Sequence, residues 1–138
     1  MKRLQRRRTK GWRMPPNAVY VGRPSVWGNP WPVEHPAMPW LALLLGLNGD
    51  AEGRRQAAVT LHRLWLTDAL PFPATGGIEL GFASNAAAMY LRDFRLPAKP
   101  DLAPLHGKDL VCWCPLDQPC HADVLLELVT AEPLQVAP

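Results

Sequence analysis

The sequence predicts an α/β fold, a small single-domain layered structure with a short, mostly parallel sheet flanked by helices. Three observations predict it. Two short segments rich in β-formers, Ala18–Val21 and Asp109–Cys114, have the composition of buried strands. Segments with apolar residues at 3.6-residue spacing lie between them and after the second. The order strand, loop, helices, strand, loop, helix favours parallel neighbours, because such strands need a long crossover between them.

The elements follow in chain order. Residues 1–13 carry seven of the fifteen Lys and Arg and no acid, and read as a basic arm ahead of a single α/β domain over 14–138. The remaining chain has eight bases against twelve acids, a formal charge of −4, so the net charge of +3 belongs to the arm. Such an arm suits DNA or RNA phosphates through counterion release; a solvated, unordered terminus is the plainer reading. The first strand, Ala18–Val21, stops at Gly22. Gly22–Pro32 holds too many Gly and Pro residues for a regular element, yet Trp27 and Trp31 require it to be ordered. Pro39–Leu47 reads as a short helix. Asp50 reads as the N-cap of a helix over Ala51–Ala69, with Ala57, Leu61, Leu64 and Trp65 facing inward and His62 on the surface. After the connection Pro71–Gly77, Ser84 is placed as the cap of a helix over Asn85–Phe94. In that helix Ala88, Leu91 and Phe94 are the candidates to face inward, and Tyr90, Arg92 and Asp93 form surface pairs. A turn at His106-Gly107-Lys108 leads into the second strand. The last helix runs from Cys120 to about Thr130, with Val124, Leu125 and Leu128 inward.

At 138 residues the chain is long enough to bury its own core. No apolar run follows the basic N-terminus, so no signal peptide is expected there. The most apolar stretch, Trp40–Leu47, is far short of the ~20 residues that cross a bilayer. A cytoplasmic, reducing setting is expected, and there clustered cysteines bind metal or do chemistry more often than they form disulfides. Phosphate-loop, dinucleotide-binding and His-Glu-x-x-His patterns are missing, which disfavours ATPase, dinucleotide-dependent and zincin chemistry.

The chemistry concentrates in Cys112-Trp113-Cys114-Pro-Leu-Asp-Gln-Pro-Cys120-His121-Ala-Asp123, which holds all three cysteines. On a strand Cys112 and Cys114 share a face, and Cys120 and His121 open the helix that returns to it. Three thiols and an imidazole are the full set for one tetrahedral Zn²⁺, with iron a lesser alternative. A second reading makes Cys120 a thiol activated at a helix N-terminus, with His121 as base and Asp123 as orienting group or proton acceptor. In a third, Cys112 and Cys114 are simply buried apolar residues. The other constellation is the loop leaving the first strand, where open α/β sheets bind ligands. There Arg23 suits a phosphate, Ser25 and Asn29 offer hydrogen bonds, Trp27 offers a stacking face, and Gly22 and Gly28 allow close approach of backbone. Packing of Trp27 and Trp31 against the core is the competing explanation.

Residues 10–31, with Trp27-Gly-Asn-Pro30, and residues 107–125, with Cys112-Trp-Cys114 and Cys120-His121, closely resemble the family catalogued as domain of unknown function 4326. The resemblance covers nearly the whole chain and implies a bacterial or phage-infected cytosol; it brings no activity with it. The leading functional expectation is a small enzyme, a hydrolase or transferase, acting on a nucleotide, nucleobase or nucleic-acid-derived substrate. The competing expectation is a non-catalytic nucleic-acid-binding module with a structural zinc and a basic arm.

Overall fold

The computed structural model describes residues 1–70 and 95–131; the helix expected over Asn85–Phe94 and the connection before it lie outside the described residues. The described residues form an α/β arrangement of three helices and one three-stranded parallel sheet. They divide into two compact units. One comprises Met1–Gly28 and the described residues from Pro100 onward, the other the described residues of Asn29–Lys99.

The first unit contains the sheet, ordered β1 (Arg3–Gln5), β3 (Asp109–Cys112), β2 (Ala18–Tyr20). Leu110, Val111 and Cys112 of the central strand are buried, as expected of a strand paired on both sides and covered by a helix. The register sets Leu4 and Tyr20 on either side of Val111. Ala103–Leu105 forms a 3₁₀ turn, and Gly107 adopts φ +74°, the left-handed conformation that reverses the chain into β3. Helix α3 (His121–Ala131) packs on β3 and β1, burying Ala122, Val124, Leu125 and Val129.

Residues 3–5 correct the reading of residues 1–13 as an arm outside the body. They form an edge strand because the Arg3 side chain, only 8% exposed, finds partners there. Its guanidinium donates to the carbonyls of Gln118 at 3.0 Å, Pro115 at 3.3 Å and Leu116 at 2.6 Å, and pairs with Asp123 at 3.3 Å. One cation thus satisfies the connection between β3 and α3 and neutralises an acid in the first turn of the helix.

The second unit is built on α1 (Met38–Leu44) and α2 (Ala51–Leu66). Asp50 caps α2 as expected, its carboxylate accepting the Gly53 N–H at 2.8 Å. Gly53 is required here, since a Cβ would collide with the Asn48 backbone. Trp31, Met38, Leu41, Ala57, Ala58 and Leu61 form the apolar cluster of this unit. His62 is fully buried, not on the surface. Of the four expected inward positions of α2, Ala57, Leu61 and Trp65 are buried and Leu64 is half-buried; the stripe also takes Gly53, Ala58 and His62, whose ring lies 5.9 Å from that of Trp65.

Candidate metal centre

The end of β3 and the start of α3 bring Cys112, Cys114, Cys120 and His121 together, all four donor atoms lying within 4.8 Å of one another. The strand ends at Cys112, and the chain bends through Trp113 and Cys114. The bend keeps the two thiols adjacent, with sulfurs 3.5 Å apart. Pro115 and Pro119 frame the short return to Cys120, which precedes α3 and accepts the Ala122 N–H on its sulfur at 3.5 Å. Neighbouring Cys120 and His121 both reach the centre because the imidazole presents Nδ1, the nitrogen nearer the backbone. That atom lies 3.7 Å from Cys120 Sγ and 4.0 Å from Cys112 Sγ. A tetrahedral zinc ion with Zn–S about 2.3 Å and Zn–N about 2.0–2.1 Å sets its donors about 3.5–3.8 Å apart; the Cys112–Cys114 and Cys120–His121 pairs stand at that spacing, and the cluster as a whole is somewhat wider.

His121 is oriented from behind. Its Nε2 lies 2.7 Å from the carbonyl of Val21, where it donates, leaving Nδ1 aimed at the thiols. A carbonyl holding the far nitrogen of a ligating imidazole is the usual supporting partner in metal sites. His121 is therefore joined to the end of β2, which the spacing of the cysteines did not reveal.

The protonation pattern follows from crowding. The Cys112 thiol is held far below its ordinary value, chiefly because the Cys114 and Cys120 thiols donate to its sulfur, which outweighs burial. The Cys120 thiol is pushed far above it, since its proton serves Cys112 and Cys114 and it is buried beside the charge on Cys112. Burial pulls His121 down, but hydrogen bonds with Cys112, Cys114 and the Val21 carbonyl, with the Cys112 charge, raise it to about 9. One thiolate forms readily and further ones are opposed by like charge. A bound cation would relieve that opposition. Cys120 is 1% exposed, which gives its thiol little access to a substrate. Asp123 is exposed and ion-paired with Arg3.

The loop after β2 leaves the same C-terminal edge of the sheet, but several of its polar groups serve the fold. Tyr20 Oη donates to the Arg23 carbonyl at 2.7 Å, and a Cβ at Gly22 would strike that ring. Trp27 Nε1 donates to the Asp101 carbonyl at 2.9 Å. Gly28 sits in a tight turn, where a Cβ would lie 3.1 Å from the Ser25 carbonyl. Asn29 belongs to the second unit, buried and donating to the Ala58 carbonyl at 3.0 Å while accepting the Trp31 N–H at 2.9 Å. It therefore sits in a core, away from the role of ligand contact expected of it. Arg23 is exposed and Ser25 half-buried.

The basic segment supplies residues that the sequence reading did not single out. The Arg6 N–H donates to the Cys112 carbonyl at 2.8 Å, extending the pairing beyond β1. Its guanidinium lies 5.0 Å from the Tyr20 ring centroid and 5.1 Å from that of Trp113, and Arg8 lies 4.9 Å from Trp113. Each such contact is worth about 0.5–1 kcal/mol at an exposed site. The signal was Trp113 itself: between two inward-facing cysteines, it must point away from them.

The family model for Domain of unknown function (DUF4326) matches residues 4–131. The chain belongs to that family. No curated protein and no solved structure matches it. Among the described residues, no helix is long and apolar enough to cross a membrane.

Proposed function

We propose that this family member is a non-catalytic nucleic-acid-binding module whose sheet unit is organised by one zinc ion on Cys112, Cys114, Cys120 and His121. Four protein donors fill a tetrahedral ion, whereas catalytic zinc keeps one position for water or substrate. The ion would thus be structural, tying the end of the sheet to α3. The observation that carries the binding reading is the stacking of Arg6 and Arg8 on Trp113, a cationic and aromatic surface beside that centre. Arg7, Lys10 and Arg13 are exposed on the same segment. We place the protein in a reducing compartment such as the cytoplasm, where its thiols stay available to metal.

Removing residues 1–10 would delete β1, so the test uses the exposed cations alone. Binding of a fluorescent oligonucleotide by zinc-loaded protein should weaken steeply with salt. The triple variant Arg7→Ala, Arg8→Ala, Lys10→Ala should flatten the log–log salt slope by about two to three. Salt-independent binding, or none, rejects the reading.

One observation favours a second reading, binding of a mononucleotide at the loop after β2. Among the described residues the Ser25 hydroxyl is shut from solvent without a hydrogen-bond partner, on the sheet edge shared with His121. Calorimetric binding of a nucleotide, lost in Arg23→Ala, would support this over the first.

A further inference from the structure

We propose that Trp113 is a base-stacking platform and that the nucleic acid bound is therefore single-stranded; this rests on the nucleic-acid reading above. Trp31 is buried in the helical unit, and the indole N–H of Trp27 is committed to Asp101. Trp113 is 38% exposed, with cations at its face. Its backbone is fixed on both sides, by the side chains of Cys112 and Cys114 in the metal cluster and by the Arg6 N–H on the Cys112 carbonyl. The ring is thus a pre-positioned flat surface, which needs little further ordering to accept a partner.

A duplex keeps its bases stacked on one another and offers an indole only phosphates and groove edges. An open strand can lay a base on the ring while its phosphates meet the nearby guanidiniums. The bound base takes the place of a guanidinium over Trp113, and the displaced Arg6 or Arg8 turns to phosphate. Tyr20, already stacked under Arg6, provides a second aromatic face beside the first. Charge alone would serve duplex and single strand alike; the exposed indole is what separates them.

The test compares an end-labelled oligothymidylate of about 15 nucleotides with a duplex of equal length, by fluorescence anisotropy on the zinc-loaded full chain. The single strand should bind about tenfold more tightly. Trp113→Ala should lose about tenfold on the single strand and less than about twofold on the duplex, and Trp113→Phe should retain most of the binding. Metal stoichiometry, measured on each variant, reports folding; Trp113→Leu, which keeps bulk and removes the π-face, repeats the comparison if the alanine variant fails to load zinc. Equal affinity for both forms, or single-strand binding indifferent to Trp113, overturns this inference and leaves the nucleic-acid reading standing. No binding of either form overturns both.

Discussion

The two compact units solve the same problem with different chemistry. Among the described residues, the helical unit fills its interior with Trp31, Met38, Leu41, Leu61 and Trp65 set among the small Ala37, Ala42, Ala57 and Ala58. The sheet unit buries Val21, Leu105, Leu110, Val111, Val124, Leu125 and Val129, aliphatic groups only, beside three thiols and an imidazole. Small cores bury a smaller share of the chain's surface than large ones do. Directional donors take over: the Cys/His cluster at one end of the sheet and the Arg3 guanidinium on the carbonyls of the adjoining loop. The difference teaches that the two units should fail under different insults.

Metal withdrawal should separate them most sharply. Structural zinc contributes an apparent ~10–16 kcal/mol in small zinc domains, so a strong chelator, or Cys112→Ser, should abolish protection of the β3 and α3 amides. The α1 and α2 amides should stay protected. Hydrogen exchange read by mass spectrometry checks this, and uniform loss, or none, would break the comparison. The converse is Leu61→Ala. A fully buried leucine in the apolar cluster should cost about 2–5 kcal/mol in chemical denaturation of the helical unit, with zinc stoichiometry unchanged. If the variant sheds its metal, the units are not independent. The smallest effect is expected from Arg3→Met, which removes charge-assisted bonds worth about 1.5–3 kcal/mol. It should speed zinc release to a chromogenic chelator while leaving α1 and α2 untouched. An unchanged release rate would assign the loop's order to the prolines and the metal alone.

Much of this was legible from local pattern. The Asp50 cap, most of the inward faces of α2 and α3 (Leu64 and Leu128 are only half-buried), the strand at Ala18 and the convergence of the cysteines with His121 all follow from spacing within a few residues. What escaped is non-local. Arg-Leu-Gln has no strand signature, and β1 exists because Arg3 finds carbonyls and a carboxylate far along the chain. His62 looked polar and therefore exterior, but α2 buries a stripe broad enough to enclose it. Asn29 looked like a ligand contact because amides bind nucleobases; it is spent on backbone groups of its own unit. The carbonyl behind His121 was invisible because a backbone oxygen leaves no mark in a sequence.

The central place of β3 has a consequence for biosynthesis. Among the described residues both outer strands pair only with β3, and the Lys2–Asp109 contact at its start spans 107 positions. Contacts of that span must wait for a long loop to close and slow folding. On the ribosome, Arg3–Gln5 and Ala18–Tyr20 emerge long before Asp109–Cys112 exists to receive them. Unpaired strand edges invite association with other chains, and positive charge is a standard guard against it. The arginines around β1 would thus keep a nascent chain apart from its neighbours until its own partner strand arrives.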